Sequence, residues 1–237
     1  MKKLRKTLIT RRQAIVAGLA SMGGVALARP KTLPPTYSSL LRMADNVTYV
    51  AHRALLPQEA LVREFSEKDI TPFPAIGTTN ARVDVATWRL SVEGLVARPQ
   101  TFSLADLKRL PARTQITRHT CEEGWSAIAK WTGVPLGVIL DAAGILPTAQ
   151  YVKSHSYDDY ENSIDLLDAF HPQTILAYGM NGRDLPVQHG APLRLRVERQ
   201  LGYKGLKYLQ RLIVTSEFDD GGQKGDLANG WAWYTGI

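Results

Sequence analysis

Residues 117–140 read "TRHTCEEGWSAIAKWTGVPLGVIL" and decide how the chain is organised. On their N-terminal side, "RTQITRHT" (113–120) has the composition of a strand that ends as Cys121 begins. On their C-terminal side, "VPLGVILDAAG" (134–144) sets apolar residues at helical spacing, with Pro135 near its start and Gly144 at its end, the punctuation of a short helix. Cys121 is thus expected where a strand gives way to a loop leading to that helix, a position from which side chains reach the rim of a site. It is the single cysteine of the chain, so no internal disulfide can form, and it needs an explanation of its own.

Working outward, "VDVATWRLSVEGL" (83–95) alternates apolar and polar residues as a half-buried strand does. Ser103 followed by Asp106 ahead of "LKRL" predicts a capped short helix. "TILAYGMNGRDLP" (174–186) predicts a strand running into a hairpin turn at Asn181-Gly182, and "PLRLRV" (192–197) and "LQRLIVTSEF" (209–218) predict two more strands. Short strands outnumber helices and no regular strand–helix alternation appears. The expectation is one α+β domain of mixed or antiparallel sheet with short helices over residues 76–237, including an aromatic C-terminal tail. Residues 29–75, rich in Pro and polar side chains, read as a wrapping arm.

The first 28 residues have the parts of an export signal: a basic opening, an apolar run over 14–28, and Ala26-Leu27-Ala28 as a cleavage site. Arg11 and Arg12 lie side by side, which resembles the twin-arginine signals that export folded proteins. A periplasmic location is expected, with a mature chain that does not span the membrane. The leader also accounts for the charge. It holds six of the 29 Lys and Arg and no acid, leaving 23 basic against 22 acidic residues, so the formal +7 is no footprint for nucleic acid. With 44% hydrophobic residues the remaining chain can bury one substantial core.

A lone cysteine is open to three readings. It can be an inert buried side chain, a nucleophile activated by one of His119, His155, His171 or His189, or a metal ligand. A structural zinc site is disfavoured, because it needs about four clustered Cys or His ligands. A basic segment holding Arg194, Lys204 and Lys207, with Gly202 and Gly205 between them, is either an anion cradle or a solvated strand and turn.

Two blocks narrow this choice. "CEEGWSAIAKWTGVPLGVIL" (121–140) resembles the cysteine loop of the sulfite oxidase and periplasmic methionine sulfoxide reductase superfamily, and residues 167–215, with "LAYGMNGRDLPVQHGAPLR" and "GYKGLK", resemble its cofactor-binding segment. The resemblance implies a single sulfite-oxidase-type domain of mixed β-sheets and short helices holding one molybdenum–molybdopterin per chain. It implies Cys121 as the molybdenum ligand, and Ser156, His189, Arg194, Lys204, Gly205, Leu206 and Lys207 against the cofactor. "YENSIDL" (160–166) resembles a segment whose tyrosine faces the substrate pocket, which makes Tyr160 the second catalytic candidate. The implied activity is two-electron oxygen-atom transfer on a sulfur or N-oxide substrate. The alternatives are a cofactor-binding protein without turnover or a thiol hydrolase using Cys121. No C-x-x-C-H haem motif is present, so electrons are expected to pass through a separate partner such as a cytochrome. Where sulfite oxidases place arginines after the cysteine, this chain has Glu122, Glu123, Gly124 and Trp125, a charge reversal that favours neutral substrates over sulfite.

Overall fold

The computed structural model describes residues 40–58, 60–219 and 224–237. The expected leader at 1–28 and residues 29–39 of the arm lie outside the described residues.

Two five-stranded sheets form the body. In the first, β1 (Leu90–Gly94), β2 (Gln100–Phe102), β5 (Tyr151–Ser156), β6 (Glu161–Asp165) and β10 (Leu209–Thr215) lie in the order β2-β1-β10-β5-β6. Only β1 and β10 run parallel, with Val92 opposite Leu212. In the second, β3 (Arg113–Thr120), β4 (Ser126–Pro135), β7 (Ile175–Met180) and β8 (Arg183–Asp184) lie in sequence order, with β9 (Arg194–Arg196) also paired to β7. The main core draws on both sheets and on α3 (Leu136–Ala143), whose Leu136, Ile139 and Leu140 are fully buried. Each such side chain contributes about 1.5–3 kcal/mol of hydrophobic stabilisation.

Local chemistry explains the boundaries. In α2 (Leu104–Arg109), Ser103 and Asp106 form the expected capping box. Helix α3 ends at Gly144, whose left-handed φ of 68° lets its N–H reach Leu140 and Asp141. Asn181 and Gly182 both take positive φ (51° and 76°), the geometry of a tight hairpin between β7 and β8. A short α4 (Leu166–Ala169) follows β6, capped by Asp165.

Three local expectations need correction. The strand predicted from residue 83 begins only at Leu90, because Asp84 captures the preceding backbone: its carboxylate accepts from the N–H of Ala86 and its carbonyl from Trp88. The loop expected between Cys121 and the helix is confined to 121–125 and is followed by the ten-residue strand β4. Its Ala127, Ile128, Ala129 and Trp131 are buried on successive positions, so no two-residue alternation marks it. The arm contains a helix, α1 (Leu40–Leu55), that apolar spacing did not reveal. Its inner side is polar: Tyr49 donates to Asp165 (2.7 Å), and Arg53 reaches Asp165 (2.9 Å) and Asp168 (2.8 Å). Tyr49 also packs with Tyr151, Trp233 and Tyr234, so the helix and the C-terminal tail share a small aromatic core.

Candidate active site

Strands β3 and β4 form a hairpin, Thr120 opposite Ser126, and Cys121 opens its connection. The turn closes through Cys121 N–H to Trp125 O (2.9 Å) and Gly124 N–H to Cys121 O (3.1 Å), and Gly124 adopts φ 89°, which a side chain would strain. The Cys121 side chain is 6% exposed. Its sulfur lies 3.6 Å from Glu122 Oε2 and 3.9 Å from Glu123 Oε2. Burial first, and then these carboxylates, push the thiol up to about 11. A thiolate here at neutral pH requires a positive partner, which a metal ion supplies. The nucleophile reading asks for a histidine base. Nearest in sequence, His119 directs Nδ1 to Arg196 (2.7 Å), and His155 is paired with Glu161 (2.7 Å).

Cys121 opens onto a cavity of about 420 Å³. Arg194, at the start of β9, lines it while 4% exposed. Its Nη1 donates to the His189 carbonyl at 3.2 Å, its Nε has no acceptor among the described residues, and no carboxylate forms an ion pair with it there. Burial first, and then the repulsion of Arg196, lower it to about 9. Lys207 lines the same cavity, and among the described residues its ammonium donates to the carbonyls of Ile76 (2.5 Å), Thr78 (2.8 Å) and Gln188 (2.9 Å). Burial, followed by Arg194, lowers it to about 8. A buried Arg194 and a half-buried Lys207, neither paired with a carboxylate among the described residues, are costly unless an anion joins them. A soft sulfur at one side and an uncompensated cationic cradle at the other fit a metal–dithiolene group carrying a phosphate.

The cavity brings together Cys121, Tyr160, Arg194, Gly205, Leu206 and Lys207 of the residues expected from sequence. It does not bring in the other three. Ser156 is fully buried beneath the loop 156–160, where its Oγ donates to Asp158 (2.5 Å) and accepts from the Tyr160 N–H (2.8 Å), so it shapes the tyrosine's loop. His189 sits behind the wall, edge-on to Phe73 at 5.4 Å, with its Nδ1 buried and without a partner among the described residues. Lys204 departs most from expectation. It is fully buried, with its ammonium 2.5 Å from Asp226 Oδ2 and 2.9 Å from Ser163 O, an internal ion pair that leaves no charge for a phosphate.

Several lining residues were missed by sequence reasoning. The irregular segment 73–78 crosses the cavity, anchored by Lys207. Asp226 accepts from the Tyr160 hydroxyl (2.8 Å), joining Tyr160 to Lys204, and its carbonyl accepts from the Trp231 N–H (3.0 Å). Trp231 then lies against Tyr203 at 5.1 Å and faces the cavity. No spacing links Asp226 to Tyr160. His119 carried a readable signal: Gln115, Thr117 and His119 alternate along β3 and all three are buried, so the inner face of this strand is polar, as a strand beside a site is. Burial, and then Arg196, Arg194 and Lys207, hold His119 neutral.

Comparison with known proteins agrees with this geometry. Residues 76–222 match the model of the oxidoreductase molybdopterin-binding domain. A protein of Azospira oryzae, provisionally named the protein-methionine-sulfoxide reductase subunit YedZ1, is 39% identical over 230 residues, covering 95% of this chain and 85% of that one. The protein-methionine-sulfoxide reductase catalytic subunit MsrP of Gluconobacter oxydans is 30% identical over 223 residues, 85% of this chain and 68% of that one. The solved sulfane dehydrogenase SoxCD of Paracoccus pantotrophus shares the fold, with a TM-score of 0.57 at 24% identity over 60% of this chain and 42% of that one. With its sulfur and its cationic cradle on one cavity, the chain belongs to the oxidoreductase molybdopterin-binding family, and it is a molybdopterin-dependent oxidoreductase of the sulfite oxidase type.

Proposed function

We propose that this enzyme reduces a neutral sulfoxide, of the class of methionine sulfoxide in proteins, to the thioether, with two electrons and two protons consumed and one water released. The observation that carries this reading is the composition of the cavity wall. Its two uncompensated cations, Arg194 and Lys207, are needed for the cofactor's anionic end, and the rest of the wall includes the two acids next to Cys121, Glu122 and Glu123, and the rings of Phe73, Trp125 and Trp231. A thioether sulfur and its methyl are well received by aromatic rings, whereas a sulfite dianion meets two carboxylates. The names of the relatives point to the same substrate class and to the reductive direction.

In this reading Cys121 supplies the protein's soft ligand to molybdenum, and Arg194 and Lys207 hold the phosphate, with the backbone of Gly205 and Leu206 against the cofactor. The bound molybdopterin supplies the two-electron redox chemistry. Tyr160 orients substrate. Burial, and then Asp226, push its phenol far up, so it stays protonated. Its one proton is donated to Asp226 in this structure, and it serves a sulfoxide oxygen by turning from that carboxylate, which keeps Lys204 as its partner. The loop closed by Ser156 fixes where the hydroxyl sits. His189 supports Arg194 through its carbonyl.

In this reading residues 1–28 act as a twin-arginine-type leader, and the enzyme works in the periplasm, exported with its cofactor in place. Electrons arrive from a separate partner, of which a cytochrome is one kind. Among the described residues no helix is long and apolar enough to cross a membrane. The test is turnover of purified, molybdenum-loaded protein with a reduced dye. Methionine sulfoxide, free and in a protein, should be reduced with a kcat/KM at least ~10-fold above that for sulfite oxidation, the effect of about 1.4 kcal/mol of charge discrimination. Efficient sulfite oxidation without sulfoxide reduction would overturn the reading.

A further inference from the structure

The proposed chemistry makes no use of His119, although its ring is held in place from several sides. It is the last buried residue of β3 before Cys121, 5% exposed, and it lines the cavity. Its Nδ1 lies 2.7 Å from Nη1 of Arg196. A guanidinium has donors only, so Nδ1 must be the acceptor, and the ring's one proton is on Nε2. Arg196 is itself fixed by a two-bond pairing with Glu198 (Nε to Oε1 3.1 Å, Nη2 to Oε2 2.9 Å), and Gln115 donates to the same carboxylate at 3.2 Å. All three partners are buried.

The far edge of the ring is equally constrained. A Cβ on Gly202 would stand 2.3 Å from both Cε1 and Nε2, so only glycine at that position lets the imidazole lie where it does. Phe73 and Trp125 flank it at 5.0 and 5.4 Å between ring centres. The Nε2–H is therefore aimed by backbone, aromatic rings and a buried charge relay, and among the described residues none accepts from it. A donor this constrained, inside a cavity and without a protein acceptor, is what a ligand's hydrogen-bond partner looks like before the ligand is considered.

We infer that His119 is a further binding residue of the cavity: a neutral imidazole, locked by Arg196 as the Nε2–H tautomer, that donates one hydrogen bond to an anionic acceptor atom of the molybdopterin held between Cys121 and Arg194. The inference rests on the cofactor assignment. Its chemical sense lies in the charge already present. Arg194 and Lys207 supply the positive charge of the cradle, and a neutral N–H adds a directed bond without a third buried cation.

The test uses holoprotein labelled with nitrogen-15 histidine, in its oxidised, diamagnetic state, after its molybdenum and pterin content has been measured. His119, assigned by its absence from His119→Gln, should show an unprotonated Nδ1 and a protonated Nε2. Its Nε2–H should exchange with solvent at least ~10-fold more slowly than in protein made without cofactor, the protection expected of one hydrogen bond to a charged acceptor. His119→Phe, which keeps a ring but no donor, should release cofactor about tenfold faster than wild type, while His119→Gln, which keeps an N–H, should stay within about threefold. The tautomer reading needs no variant to fold. A proton on Nδ1, a doubly protonated ring, or Nε2–H exchange indifferent to cofactor would overturn the inference. Folded wild type without molybdenum or pterin would overturn the cofactor assignment as well, and the metal and pterin measurement reads that outcome separately.

Discussion

Arg53 and Arg194 are both buried arginines, and their surroundings differ in one respect. Arg53, on α1, faces Asp165 and Asp168 at 2.9 and 2.8 Å. Burial works against its charge, and the two carboxylates outweigh burial, so its pKa moves up. Arg194 has a carbonyl and an aromatic ring but no carboxylate among the described residues, and its pKa moves down to about 9. The same contrast recurs within four residues of chain, where Lys204 is neutralised by Asp226 and Lys207 is left with carbonyls. A buried cation whose counter-charge is built into the fold holds the fold together. One whose counter-charge is missing from the fold is kept for a ligand that brings it.

The sharpest break of this comparison comes from the sulfur opposite the cradle. Cys121→Ala should cost more activity than the roughly 10–100-fold typical of losing an outer partner of a metal site, with little change in unfolding temperature, as assayed turnover and calorimetry would show. Next, Arg53→Met should leave two carboxylates unpaired and destabilise by about 3–5 kcal/mol. For a chain of this size that lowers the unfolding midpoint by about 10 °C, while turnover per folded molecule is retained. Arg194→Met should do the opposite. Cofactor retention falls by about 10–100-fold, the effect of losing charged hydrogen bonds, whereas the cofactor-free protein unfolds at the same temperature or higher because an uncompensated charge has gone. If Arg194→Met behaved like Arg53→Met, the distinction drawn between the two arginines would fail.

Two smaller effects sharpen the picture. Lys207 binds an anion as its cation, and burial together with Arg194 has lowered its pKa to about 8 against the opposing pull of Asp158. Cofactor retention by the folded protein should therefore weaken as pH rises through about 8, and release rates of Lys207→Met should be flat across that range. Replacing both Glu122 and Glu123 by Gln should raise sulfite oxidation relative to sulfoxide reduction by about three- to tenfold at low ionic strength, with the gain shrinking in high salt. An unchanged ratio in steady-state assays would show that the two carboxylates do not set the choice.

What the sequence disclosed follows from how local each signal is. The Ser103–Asp106 box, the Asn181-Gly182 turn and the Pro135-to-Gly144 helix each rest on neighbouring residues, and each stands as expected. Cys121, Arg194 and Lys207 were legible as a sulfur and a cationic segment with matching motifs, and the fold joins them on one cavity. Lys204 was misjudged because charge alone does not reveal a partner: Asp226 is distant in sequence, and only the folded chain places it under Lys204 and Tyr160. Helix α1 escaped for the same reason, since its inward residues include an arginine whose burial makes sense only once Asp165 and Asp168 are opposite it. Strand β4 is buried on successive positions and so lacks the period that identifies a half-exposed strand. His119 was read only as a possible base for Cys121, and its place in the lining had a usable signal, a polar alternation on a strand leading straight to the cysteine.

The central claim is a bond between Cys121 and molybdenum, and X-ray absorption at the molybdenum edge reads it most directly. Purified wild type and Cys121→Ala, each carrying metal and pterin, should differ by one sulfur neighbour, present in wild type and missing from the variant. An identical sulfur shell in both proteins would contradict the account.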